Sequence, residues 1–219
     1  MSIWNWEWVG THLDLIGEKV VEHLWLTFLA VAFGLAISVP LGILSHRRRR
    51  LYAPVTWVAG ILYTIPSLAL FALLVPFTGL STLTAEIGLV SYTLLILIRN
   101  IVSGLAAVPE DVKEAARGMG LTDRQILWRV ELPLALPVVV AGIRIATVTT
   151  IGLVTVTALI GKGGLGALML GGFRNLFPDI AMVVGVGLSV LLAVLVDGVL
   201  LGVQRLSTPW AGTARVTAT

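Results

Sequence analysis

The chain has 219 residues, and only 12% are Asp, Glu, Lys or Arg, against about a quarter in soluble domains. Hydrophobic residues make up 57% and mean hydropathy is +0.97, which excludes a soluble surface, a disordered chain and a separate soluble domain. The net charge is +3 and there is no cysteine, so disulfides, thiolate sites and cysteine nucleophiles are excluded, and the basic excess is read as membrane topology before nucleic-acid binding.

The fold expected is an all-α polytopic membrane bundle of about five transmembrane helices. Residues 1–23 are expected to lie outside the cell as an interfacial segment. Its start, MSIWNWEW, lacks a basic leader region, so insertion is expected to depend on retained helices. Leu13, Ile16, Val20 and Leu24 repeat at helical spacing, with Asp14, Glu18 and Glu22 elsewhere on the wheel, and Trp4, Trp6 and Trp8 suit headgroup depth. His12, His23 and His46 show no ligand spacing, so no metal site is expected.

Leu24 to Ser45 is free of charge and spans about 33 Å as a helix. It ends in His46 and the run Arg47, Arg48, Arg49 and Arg50, a topology anchor and a candidate contact for anionic lipid. The next charge-free stretch predicts a second helix at about Thr56 to Phe77, then a turn at Thr78-Gly79-Leu80-Ser81. Glu86 is expected to open a third, weaker span running to about Leu105, with Arg99 and Asn100 near its end. Apolar sequence from Leu134 to Ile160 holds Arg144, and Ile180 to Val203 holds Asp197. Both charges are expected to snorkel or to pair.

Basic residues fix the orientation. Arg47 to Arg50, Arg99, Lys113, Arg117, Arg124, Arg129, Arg205 and Arg215 fall on one side, and only Lys19, Lys162 and Arg174 on the other. The richer side is expected to be cytoplasmic, with the N-terminus outside and the C-terminus inside.

The cytoplasmic loop, residues 109–133, reads as two short helices. Pro109 suits a first helical position, Glu110 and Asp111 favour the amino end of the dipole, and Gly120 supplies a left-handed stop. Thr122 and Gln125 form a capping box, Leu121 and Ile126 occupy the hydrophobic-staple positions, and Pro133 is expected to end the second helix before the next span.

Glu114-Ala115-Ala116, three residues, Gly120, nine residues, then Val130-x-Leu132-Pro133 resembles the EAA loop of ABC importer permeases, with Val130 in the usual Ile position. The resemblance extends from about Leu24 to Gln204. It includes the segment from Tyr63 through Pro66 and Ser67 to Leu70, Ile98-Arg99-Asn100, and Ala158 to Gly166. These segments are similar to glycine betaine, carnitine and choline permeases of the ProW and OpuB/OpuC type. The resemblance implies a type I importer (MetI-like) permease fold over residues 24–204, with a cytoplasmic tail at 205–219, in the cell membrane.

What it further implies is a non-enzymatic subunit that works with a second permease copy or a homologous permease, a cytoplasmic ABC ATPase dimer and an extracytoplasmic substrate-binding protein. ATP and Mg would bind the partner ATPase, leaving this chain no cofactor. Glu114 would be the polar contact of the coupling loop, Ala115 and Ala116 would permit close seating, Gly120 would set the angle, and Leu132 and Pro133 would close the motif. Permeases for methionine or another amino acid are the alternative; a secondary transporter or channel fits less well, for want of an internal repeat.

Other candidates are weaker. Thr147, Thr150 and Thr157 share a helix face with Val154 and are pathway candidates, although intramembrane threonines usually bond their own helix. Tyr63, Tyr92 and Phe173 are candidate aromatic faces for a quaternary ammonium ion. Pro66, Ser67 and Asn100 complete the pathway candidates. Gly161-Lys162-Gly163-Gly164-Leu165-Gly166 satisfies the dinucleotide pattern G-x-G-x-x-G, but a hydrophobic helix precedes it where a strand is required, so it is read as a tight outward-side turn.

Overall fold

The computed structural model describes residues 6–174 and 180–210, and the described residues are helical with no strand. The ten α-helices are α1 (Trp6–Thr11), α2 (Leu13–Arg47), α3 (Arg49–Thr64), α4 (Ser67–Thr78), α5 (Thr82–Ala106), α6 (Glu110–Gly118), α7 (Asp123–Ile126), α8 (Leu132–Val154), α9 (Leu165–Arg174) and α10 (Ile180–Ser207). A π-helical turn, Leu127–Glu131, joins α7 to α8, and a 3-10 turn, Thr155–Ile160, follows α8. Four helical stretches are long and apolar enough to cross a membrane, and α3 and α4, bent against each other, pass the same test when taken together, which would bring the count to the expected five.

The amphipathic segment expected ahead of the first span is continuous with that span, and the short helix α1 precedes both. Leu13 to Arg47 is one helix of 35 residues, because nothing from Leu13 to Leu24 breaks it and its charges pair locally. The Lys19 ammonium lies 3.1 Å from Glu18 and 3.0 Å from Glu22. Trp8 sits in α1, its ring stacked on His12 at 4.3 Å, while Trp4 lies outside the described residues.

The second span is not straight. Its two halves meet at 94° at Ile65-Pro66. Pro66 offers no amide hydrogen and forces the preceding residue out of the helical region, and Ile65 accordingly has ψ 127°. Gly79, at φ 70°, makes the expected turn. The third span then opens at Thr82, not at Glu86: the Ser81 hydroxyl caps it by accepting the Thr84 amide at 3.2 Å. Glu86 falls one turn inside, 8% exposed.

Pro133 does not end the helix before α8. Asp123 to Ile160 runs as one helical stretch of 38 residues, because the turn ahead of the proline relaxes to π geometry. The Leu132 amide bonds the Leu127 carbonyl, five residues back, which absorbs the missing donor and the clash that a proline ring makes with an α-helical carbonyl.

The core is built on α5, which packs against α2, α8, α3 and α4. In lipid there is little hydrophobic drive between helices, so close approach at small residues holds them together. A methyl added at Gly34 of α2 would lie 2.0 Å from Thr93 Oγ1, and one at Gly42 2.6 Å from Ile101. Gly104 and Gly142 make the equivalent approaches between α5 and α8.

Candidate coupling surface and pathway

The loop folds into the capped two-helix knob that its punctuation predicts. Pro109, extended at ψ 140°, is the N-cap of α6, one position earlier than expected. Glu110 pairs with Lys113 at 2.6 Å and Arg117 at 3.0 Å. These two cations hold its carboxyl below the usual range, the Lys113 hydrogen bond contributing most. Gly120 takes φ 85°. The Thr122 hydroxyl accepts the Gln125 amide, and the Gln125 side chain accepts the Thr122 amide at 2.8 Å.

The motif residues divide by exposure. Glu114, Ala115 and Gly120 face outward, whereas Ala116 is 2% exposed. The smallness of Ala116 therefore serves the packing of the knob itself, and Ala115 is the alanine open to a partner. Leu132 packs on the core cluster of Ile101, Leu105, Leu127 and Ala135, and Pro133 is half-buried beside it. Two contacts clasp the knob to the corner between α2 and α3: Arg47 donates to the Asp123 carbonyl at 3.3 Å, and His46 lies 3.9 Å from Glu131. Arg47 to Arg50 are all exposed.

At the break between α3 and α4 the structure gathers Tyr63, Pro66, Ser67 and Tyr92. The Tyr92 hydroxyl donates to the Ile65 carbonyl that the break leaves free. Tyr63 meets the Tyr92 ring edge-on at 6.0 Å and remains 39% exposed. The other candidates lie elsewhere. Thr147, Thr150 and Thr157 are buried and return their hydroxyls to Ile143, Ala146 and Val154 of their own helical stretch. Asn100 donates to the Ile96 carbonyl at 2.8 Å and packs on Gly142. Phe173 belongs to α9, and its side chain lies outside what the structure describes.

Arg144 and Asp197 pair across α8 and α10. The guanidinium donates to both carboxylate oxygens at 2.9 and 2.8 Å and to Gln204 at 3.1 Å, and Gln204 donates to the Pro137 carbonyl at 3.0 Å. The glycine-rich turn is a close-packing device: Gly161 and Gly164 have φ 76° and 48°, and a methyl on Gly164 would meet the backbone of His23 at 2.7 Å. His23 is itself fully buried and donates from Nε2 to the Ile151 carbonyl. Sequence reasoning missed this tie, which a lone histidine does not announce.

A family model for binding-protein-dependent transport system inner membrane components matches residues 25–206. The chain is 42% identical over 200 residues to the osmoprotectant import permease OsmW of Salmonella typhimurium, covering 89% of this chain and 92% of that protein. It is 39% identical to the carnitine transport permease OpuCB of Listeria monocytogenes, covering 74% of each. Against the choline transport system permease OpuBB of Bacillus subtilis it is 35% identical, covering 90% of each. Among solved structures, an inward-facing form of the methionine ABC transporter MetNI is similar, with TM-score 0.79 and 27% identity over 90% of this chain and 98% of that one.

Proposed function

The chain belongs to the binding-protein-dependent transport system inner membrane components, and from that premise we propose that it is the permease subunit of an ATP-binding-cassette importer for osmoprotectants, quaternary ammonium compounds such as glycine betaine, choline or carnitine. The observation that carries the mechanism is the knob: a capped pair of short helices at one end of the bundle, with Glu114, Ala115 and Gly120 open to a partner. A knob of this kind presupposes an ATPase. Its basic surroundings support a cytoplasmic position for it, with the N-terminus outside and the C-terminus inside.

In this reading, two permeases form the pathway and two ATPases hold the knobs in grooves. Glu114 makes the polar contact and Ala115 allows close approach. ATP and Mg are held by the ATPase, and this chain makes and breaks no bonds. Closure of the ATPases moves the knob, and because α7, the π turn and α8 form one helical stretch, that movement passes directly into the bundle. Substrate arrives from an extracytoplasmic binding protein. The exposed face of Tyr63, held by Tyr92 at the break, suits a quaternary ammonium ion, which aromatic faces attract without a counter-charge.

Co-purification and uptake test this reading together. Tagged chain is expected to bring down an ATPase, and Glu114→Ala or Gly120→Val to reduce ATP-driven uptake without loss of membrane insertion. Absence of an ATPase, with uptake intact in both variants, overturns the proposal. The similarity to the methionine transporter favours an amino-acid substrate as the second reading, and uptake of labelled betaine, choline and methionine with the cognate binding protein separates the two.

A further inference from the structure

The corner between α2 and α3, the end of α5 and the start of α6 enclose a pocket of about 540 Å³, within the range of about 300–1,000 Å³ usual for small-molecule sites. Ser45, His46, Arg49 and Tyr52 line it from the corner, Glu110 and Lys113 line it from α6, and apolar residues of α5 and the following turn complete it. Charged side chains thus line it from both the corner and α6, with the apolar lining contributed by α5 and the turn after it.

Its charge is arranged for an anion. Arg47, Arg49 and Lys113 all lie near enough to His46 for their charges to act on its ring. Two carboxylates oppose them, Glu131 at 3.9 Å from His46 and Glu110 at 2.6 Å from Lys113. Glu110 is the outer member of its group: 58% of its side chain is exposed and it is shared with Arg117, while the Lys113 side chain is 12% exposed. The Arg49 side chain makes no hydrogen bond or salt bridge among the described residues. Ser45 supplies an independent observation. It is 1% exposed, and its hydroxyl, which a helical serine usually returns to a carbonyl on the preceding turn, has no hydrogen-bond partner.

We propose that this pocket binds the phosphate group of an anionic phospholipid from the adjacent leaflet. Arg49 and Lys113 take the phosphate oxygens, and the Ser45 hydroxyl gains an acceptor. A lipid is favoured over free phosphate because the pocket opens beside α3, whose Tyr52, Trp57 and Ile61 are 38%, 70% and 44% exposed. Trp57 and Ile61, one turn apart, give this helix an exposed apolar face for acyl chains, and Tyr52, which lines the pocket, sets an aromatic ring beside the headgroup. The bound phosphate would tie the α2–α3 corner to α6, adding to the Arg47 and His46 contacts with the knob. The proposal relies on the transporter reading only for the side of the membrane on which the pocket lies.

The test is binding of short-chain phosphatidylglycerol, phosphatidylcholine and inorganic phosphate to the purified full chain in detergent at fixed ionic strength. Phosphatidylglycerol is expected to bind in preference to phosphatidylcholine, and millimolar phosphate not to displace it. The pair Arg49→Gln and Lys113→Gln is expected to weaken phosphatidylglycerol on the order of twenty-fold, and the control pair Arg48→Gln and Arg50→Gln, which removes the same charge outside the pocket, by less than about two-fold. Equal losses in the two pairs mean diffuse charge attraction and overturn the site. Displacement by phosphate means a free-anion site and overturns the lipid, as does equal binding of phosphatidylcholine. If the double variant does not elute as folded protein, Ser45→Ala, which removes only the hydroxyl, decides: a several-fold loss supports the site and unchanged affinity overturns it. Neither ATPase nor transport substrate enters the assay, so its failure leaves the importer reading standing, and failure of that reading leaves this result interpretable.

Discussion

The Tyr92 hydroxyl holds the break in the second span by satisfying the Ile65 carbonyl, which has no helical donor because Pro66 interrupts the ladder. Tyr92→Phe is expected to cost about 1 kcal/mol and to lower the thermal midpoint in detergent, with a matching fall in uptake if Tyr63 loses its orientation. At Gly120, φ 85° puts any side chain in the left-handed region, so Gly120→Ala is expected to cost about 1–2 kcal/mol and to loosen the knob, measured as faster proteolysis between α6 and α7. The Glu110 carboxyl, lowered by Lys113 and Arg117, gives a sign for acidity. Its contribution is complete above the ordinary glutamate value of about 4.3 and is lost only as pH falls through the depressed folded value. Binding of the ATPase is therefore expected to be insensitive to protonation of Glu110 between about pH 5 and 8, checked by co-purification across that range.

At the scale of helices, α2 and α5 meet through small residues. The spacing Ala30, Gly34, Ser38 and Gly42 is visible in the sequence, but only the structure shows that Thr93 and Ile101 fill the notches. Gly34→Ala is expected to force the helices apart at a cost of about 1–3 kcal/mol, and Thr93→Ala in the same chain, which removes the offending Oγ1, to recover part of it in thermal unfolding. Arg144 and Asp197 make a second test. Either Arg144→Leu or Asp197→Leu leaves a charge without its partner between α8 and α10, and both are expected to lower the unfolding midpoint more than the double substitution does. The spans themselves were legible because apolar runs of membrane length, broken by at most two charges each, announce them. Their interruptions were legible only in part. Pro66 and Pro133 are both prolines in apolar sequence, yet the chain bends by 94° at one and passes through the other with a π turn. The difference lies in the packing around each, which no local pattern records.

For the molecule as a whole, the absence of cysteine makes topology directly testable. Single cysteines introduced at Arg48 and at Lys162 are expected to react with an impermeant thiol reagent from opposite sides of the membrane, Lys162→Cys from outside; labelling of both from one side would refute the orientation. Composition, the basic bias and the caps of the knob were readable from the sequence because each acts locally: hydropathy selects the bilayer, and a proline, a glycine or a T-x-x-Q box sets the backbone within a turn of itself. Which faces meet depends on contacts between residues far apart in the chain. That is why burial of Ala116 rather than Ala115, the tie from His23 to Ile151, the pairing of Arg144 with Asp197 and the pocket under α6 were decided only when the helices packed.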